Sequence, residues 1–236
     1  MTKGGTLLVI GRNNRNKKSR GIASLIEKLN EAGVPVRFYE SKTTATGALL
    51  EERFQMLMQR ISFSCEKDYF LSKLARRMIK AALLLCYPNR WAYYFYRAQE
   101  RHHTSTRELI GFIRKLEDKN ITLLTHSAGG IAGSRVEHLE KVNGHICFGY
   151  PFKHPLNREE PRRTRHLKHV KKPFLIVQGN QDEYGSKKST SCYTLSPAIT
   201  LRPIDATHDY EDIPAAEFEA LFIDIQAFLG QRRQLG

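Results

Sequence analysis

A hydroxyl, a carboxylate and an imidazole each follow an apolar run in this chain. Ser127 comes after Ile121-Thr122-Leu123-Leu124-Thr125-His126, Asp182 after Pro173-Phe174-Leu175-Ile176-Val177-Gln178-Gly179, and His208 after Ala198-Ile199-Thr200-Leu201-Arg202-Pro203-Ile204. Such runs read as buried strands, and in an open α/β sheet functional groups gather at the carboxyl ends of strands. Ser, Asp, His is also the chain order of a hydrolytic triad on that architecture. Around the serine, the small residues Ala128-Gly129-Gly130 arrive abruptly, and Ile131, Val136 and Leu139 then mark a helix. The reading is strand, sharp turn, helix, with the hydroxyl pushed into the open at the apex. Thr125 stands where the G-x-S-x-G pattern has its first glycine. Ser-Ala-Gly-Gly also suits an ordinary strand-to-helix turn or a phosphate-binding helix N-terminus.

Each member of the trio has rivals. Glu183 stands beside Asp182, and Asp205, Asp209 and Asp212 compete with it as carboxylates. Eight other histidines compete with His208. His126 adjoins the serine but points away from the apex of a turn of this kind, while His102, His103, His145, His154, His166 and His169 sit at helix edges or in a basic loop.

The elements that must position these groups can be read along the chain. Thr6 to Ile10 is a first strand, Ile22, Leu25, Ile26 and Leu29 mark a helix closed by Gly33, and Val34 to Tyr39 is a second strand. A β-α-β unit with a helical crossover implies parallel pairing. From about residue 45 to 103 the pattern is helical only, more than a crossover requires, so part of it reads as an insertion over one end of the sheet. Trp91 to Tyr96 is its aromatic segment, read either as core or as the lining of a lid over an acyl pocket. Ser105-Thr106-Arg107-Glu108 is a capping box that opens the next helix. Strands over His145 to Pro151, Pro173 to Gly179 and Ala198 to Ile204 follow, and a helix runs from Pro214 to Gly230. The fold class is therefore α/β, a doubly wound, mostly parallel sheet with a helical insertion between its second and third strands.

With 236 residues, 41% of them apolar, the chain suits one well-buried domain over 1–236, the insertion lying within it. Lys and Arg number 38 against 24 Asp and Glu, a formal charge of +14, which favours anionic substrates or partners. Most of that charge lies in Lys153 to Lys172 and in Arg12 to Arg20, segments that are either solvated loops or a means of focusing an anionic ligand on the serine. A nucleic-acid partner is not expected, since no recognisable module is present. Contact with an anionic membrane surface would fall to the basic helical insertion. No secretion signal is visible, and the longest apolar stretch, Ala81 to Cys86, falls far short of a membrane span. Four scattered cysteines, Cys65, Cys86, Cys147 and Cys192, fit reduced thiols in the cytoplasm rather than a disulfide frame or zinc site.

Taken together, Thr125-His126-Ser127-Ala128-Gly129-Gly130, Gly149-Tyr150-Pro151-Phe152, His166-Leu167 with Pro173 to Asp182, and Ala206-Thr207-His208-Asp209-Tyr210 resemble the α/β hydrolases. Within them the resemblance is to the small dienelactone-hydrolase-like branch that includes testis-expressed and histone-acetyltransferase-complex hydrolase-like proteins. It covers the sheet-forming segments at both ends and leaves out about 45 to 103. The resemblance implies Ser127 as nucleophile, Asp182 as orienting acid and His208 as general base, with oxyanion-hole amides on Ala128 and Arg12. Each such donor is typically worth about 3 kcal/mol. Where the branch tends to carry a His-Gly-rich turn, this chain has Ile10-Gly11-Arg12-Asn13-Asn14. The implied activity is hydrolysis of an ester, thioester or related acyl bond, with no metal or cofactor. The competing expectation is a catalytically silent scaffold of the same fold that binds an anionic partner through its basic surface.

Overall fold

The computed structural model describes residues 5–10, 19–61, 69–91, 101–186 and 190–233. Its strands and helices, in chain order, are β1 (Thr6–Ile10), α1 (Arg20–Glu31), β2 (Val36–Tyr39), α2 (Lys42–Ile61), α3 (Tyr69–Leu85), α4 (Arg101–Lys115), β3 (Ile121–His126), α5 (Ala128–Val136), β4 (Val142–Phe148), α6 (Pro161–Thr164), β5 (Phe174–Gly179), β6 (Ile199–Ile204) and α7 (Ala215–Arg233). Residues 92–96 of the aromatic segment lie outside the described residues, as does Cys65.

One compact unit comprises Met1–Tyr39 and Leu109–Gly236. Its six strands form a sheet in the order β2-β1-β3-β4-β5-β6, with every neighbouring pair parallel. Strands β1, β3 and β5 are buried along their whole length, as near-continuous apolar runs require when both faces are covered. Alternation then sends successive side chains to opposite layers. Leu7, Val9, Leu124, Ile146, Phe148, Leu175 and Val177 face a layer with Ile22, Leu25 and Leu29 of α1 and Leu221 and Ile225 of α7. On the other side Leu8, Ile10 and Leu123 meet Leu109 and Ile113 of α4, while Cys147, Phe174 and Ile176 meet Ile131 of α5. The sheet is doubly wound. Its strand order reverses between β1 and β3, which is where a sheet of this kind opens a crevice at its carboxyl edge.

The second unit, Glu40–Glu108, contains α2 and α3. Glu51 of α2 is ion-paired with Arg76 and Lys80 of α3, both of which also lie over the Phe54 ring. Trp91 Nε1 donates to Leu84 O at 3.0 Å, and Leu50 and Leu84 are buried. Among the described residues no helix is long and apolar enough to cross a membrane.

Candidate active site

The chain passes from β3 into α5 through one residue. Ser127 takes φ +54° and ψ −125°, a backbone geometry that L-residues rarely adopt, and the surroundings hold it there. Its N–H donates to Phe148 O on β4 at 2.9 Å, and its carbonyl accepts from Gly130 N at 2.8 Å. Ser127 is half-buried and Ala128 exposed, so the apex opens to solvent.

A turn this tight presses the helix onto the strands beneath it. The threonine in place of the first motif glycine is accommodated from the helix side: a Cβ on Gly133 would lie 3.0 Å from Thr125 Cγ2 and 2.7 Å from His145 Nε2. Space that the motif usually gains on the strand is gained one layer up. The buried Thr125 hydroxyl is satisfied by His145 Nε2 at 2.7 Å, and the His145 ring stacks on Phe174 with centroids 4.1 Å apart. Among the described residues His145 Nδ1 has no hydrogen-bond partner, and burial pushes the pKa of this histidine down to about 3.

That shift sets an acid limit on stability. Near neutrality His145 is uncharged in the folded and unfolded chains alike. Below its ordinary value of 6.5 the unfolded chain takes up a proton that the folded one refuses until about pH 3. His166, pushed down to about 4 by burial and by Arg135, acts in the same sense. Stability is expected to fall as pH drops through that window, by up to about 1.4 kcal/mol per pH unit for each such histidine. Urea unfolding at about pH 7 and about pH 5 measures it. An unchanged midpoint would mean that both imidazoles are protonated or hydrated inside the fold.

The other two polar groups meet Ser127 from loops. Asp182 follows β5, is 4% exposed, and accepts from Gln178 Nε2 at 2.8 Å on Oδ2 and from Tyr184 N at 2.8 Å on Oδ1. His208 lies between β6 and α7. Its Nδ1 is 2.9 Å from Asp182 Oδ2 and 3.0 Å from Oδ1, and its Nε2 is 2.9 Å from Ser127 Oγ. Three residues spread over some eighty positions thus form one hydrogen-bonded row. With both Asp182 oxygens accepting, Nδ1 carries the proton and Nε2 is left to accept from the serine hydroxyl.

Several neighbours hold His208 in place. His126 Nε2–H donates to the His208 carbonyl at 2.9 Å, so this rival imidazole supports the backbone of the loop. The Tyr184 ring lies 4.4 Å from the His208 ring. Tyr210, with φ +52°, anchors the far side of the loop: its hydroxyl donates to Val177 O at 2.8 Å and accepts from Gly179 N at 3.1 Å. Gly149, at the end of β4 with φ +56°, leaves the room the row occupies. A Cβ there would lie 3.0 Å from both Asp182 Oδ2 and His208 Nδ1.

The remaining candidates go elsewhere. Glu183, Asp205, Asp209 and Asp212 are all exposed, and Asp205 accepts from Gln181 Nε2 at 3.1 Å. His166 is bound to Ser134 Oγ at 2.8 Å, and His154 packs edge-on to Tyr184. The side chains of His102 and His103 fall outside the described residues, as does Arg12. Ala128 is the first residue of α5, where a helix leaves its amide N–H groups without intrahelical partners. Gln178, Tyr184 and Gly149 are site residues that sequence reasoning did not single out for these roles. Among the described residues no group of three or more His, Cys, Asp or Glu side chains is arranged to hold a metal.

A family model described as an alpha/beta hydrolase domain matches residues 95–220, a little over half the chain and inclusive of all three residues of the row. Among curated proteins the chain has no match. The solved structure of MGS-MChE2, an alpha/beta hydrolase enzyme from the metagenome of lagoon sediments of Mar Chica, Morocco, is 15% identical. It superposes with a TM-score of 0.57 over 97% of this chain and 92% of that one. A putative hydrolase of the alpha/beta superfamily from Xanthomonas campestris pv. campestris is 12% identical, with a TM-score of 0.53 over 98% and 99% of the two chains. For the esterase Pf2001 of Pyrococcus furiosus the figures are 12% identity and a TM-score of 0.41, over 52% of this chain and 59% of that one, so this chain spans about three fifths of its length.

Proposed function

The chain belongs to the alpha/beta hydrolase family, and we propose that it is a serine-dependent hydrolase of an ester, thioester or related acyl bond, from the dienelactone-hydrolase-like branch. The observation that carries this reading is the unbroken row Ser127 Oγ, His208 Nε2, His208 Nδ1, Asp182 carboxylate, each link at 2.9–3.0 Å. His208 takes the hydroxyl proton as Ser127 Oγ attacks the acyl carbonyl, and the carbonyl π electrons move onto oxygen. The amide of Ala128, with that of Arg12 as second donor, holds the resulting oxyanion. His208 then gives its proton to the leaving alcohol or thiol. Water, deprotonated by the same imidazole, releases the acid from the acyl-enzyme. Asp182 holds the tautomer and stabilises the imidazolium throughout. The substrates are small acyl compounds. The described cysteines Cys86, Cys147 and Cys192 are in no disulfide, which supports a cytoplasmic setting.

A fluorophosphonate probe tests the reading. The folded protein should be labelled once, on the peptide containing Ser127, and should turn over p-nitrophenyl esters with a preferred acyl length. Failure of the folded protein to label would leave the fold without the chemistry and favour the scaffold that binds through its basic surface.

A further inference from the structure

The crossover from β4 to β5 carries more positive charge than its packing requires. It runs through α6 and a 3-10 turn over Leu167–His169, and it meets the end of α5. There it leaves a cavity of about 480 Å³ lined by Arg135, Arg162, Arg165, His166, Lys168 and His169. Among the described residues no carboxylate lines it. Glu160, just before α6, is occupied with Arg162 at 2.8 Å and Arg163 at 3.2 Å. Among the described residues Arg135, Arg165 and Lys168 have no ion-pair partner, so three uncompensated cations converge on one concave site. Like charges placed together repel, and an anion among them removes that cost.

The cations are carried by ordered elements. Arg135 Nη2 donates to the backbone carbonyl of Arg162, another lining residue, at 3.1 Å, which leaves the other guanidinium N–H groups for a ligand. His166 is oriented by Ser134 Oγ at 2.8 Å, and its depressed pKa keeps it neutral near pH ~7, so it shapes the cavity without adding charge. Guanidinium forks match phosphate oxygens in pairs, and the cavity falls within the size range of small-molecule sites. We propose that it binds a phosphate group borne by a small ligand, held by Arg135, Arg165 and Lys168. The site is separate from the catalytic row: Arg135 stands eight residues down α5 from Ser127, about 12 Å along the axis.

Calorimetry on the full chain with ADP, and separately with inorganic pyrophosphate, tests this at low and at physiological salt. One site per chain is expected, weakening as salt rises. Arg165→Gln/Lys168→Gln should lower the affinity at least about tenfold, whereas Lys115→Gln/Lys119→Gln, the same charge change on exposed residues near the end of α4, should leave it within about twofold. Lys168→Gln alone is the milder variant should the double one melt early. Sedimentation with phosphatidic-acid vesicles, with and without pyrophosphate, tells whether a soluble ligand or a lipid headgroup supplies the phosphate. In either arm binding must be lost in Arg165→Gln/Lys168→Gln. Equal weakening in both double variants, or binding unchanged in Arg165→Gln/Lys168→Gln, would overturn the site in favour of diffuse attraction to a basic surface.

Discussion

Ser127→Ala is expected to lower kcat on any acyl substrate by on the order of 10⁶-fold, because among the described residues no other hydroxyl lies against His208 Nε2 and the covalent route is closed. The variant should remain folded, since the side chain is half-exposed and, among the described residues, its hydroxyl bonds only to His208. Ser127→Gly separates chemistry from backbone strain. Residues held in sparsely populated φ/ψ regions cost about 1–3 kcal/mol, and only glycine escapes most of that cost at φ +54° and ψ −125°. Ser127→Gly should therefore be as inactive as Ser127→Ala and more stable than the wild type by about 1 kcal/mol. Steady-state kinetics with urea unfolding measures both. A Ser127→Ala protein within about tenfold of wild-type kcat would remove Ser127 from the nucleophile's role.

How far such a site can be read from sequence depends on whether the signal is local. The strands were legible because both faces of the sheet are covered: Ile121 to His126 and Phe174 to Gly179 are buried along their whole length and carry no charged residue at helical spacing that could disguise them as helix. Helix α1 ends at Glu31, beside its expected cap at Gly33. The capping box at Ser105-Thr106-Arg107-Glu108 pointed to a helix start at 105, yet α4 runs from Arg101. A cap is worth only about 1 kcal/mol, and helix can continue through one when the residues upstream are helical too.

Contacts across the sheet were not legible. Nothing local distinguishes Asp182 from Glu183, because what separates them is burial against β4 and β5. Gly149 reads as a strand-end turn until His208 and Asp182 are seen to fill the space a Cβ would take. The imperfect motif at Thr125 is balanced by Gly133, eight residues on and across a turn, at a distance that matters only once helix and strand are stacked. The basic segment also divides in space, His154 standing against Tyr184 near the row and Arg162 to His169 against the end of α5, where charge focused on the serine was one expectation.

The largest effect away from the nucleophile is expected at Asp182, where the mildest substitution should be severe. Asp182→Asn keeps size and shape, but both carboxylate oxygens of the wild type accept hydrogen bonds from fixed donors: Gln178 Nε2 on Oδ2 and the Tyr184 backbone N–H on Oδ1. An amide has one accepting end. Whichever way it is flipped, its NH₂ faces a donor, at a cost of roughly 1–3 kcal/mol for a buried unsatisfied group. The same NH₂ confronts His208 Nδ1–H, which now lies against both oxygens, and favours the tautomer with its proton on Nε2. That proton sits where the serine hydroxyl must donate. The expected result is a fall in kcat of about 10⁴-fold with KM little changed, since Asp182 touches no substrate. Fluorophosphonate labelling should slow in proportion, because the inhibitor needs the same base. Asp182→Ala provides the control, since it removes the misplaced NH₂ and the tautomer it favours while also removing the carboxylate behind His208. A kcat still about 10⁴-fold below wild type is expected. A kcat within about tenfold of wild type in Asp182→Ala would show that the loss in Asp182→Asn comes from the misplaced amide and not from losing the group that orients and charges His208.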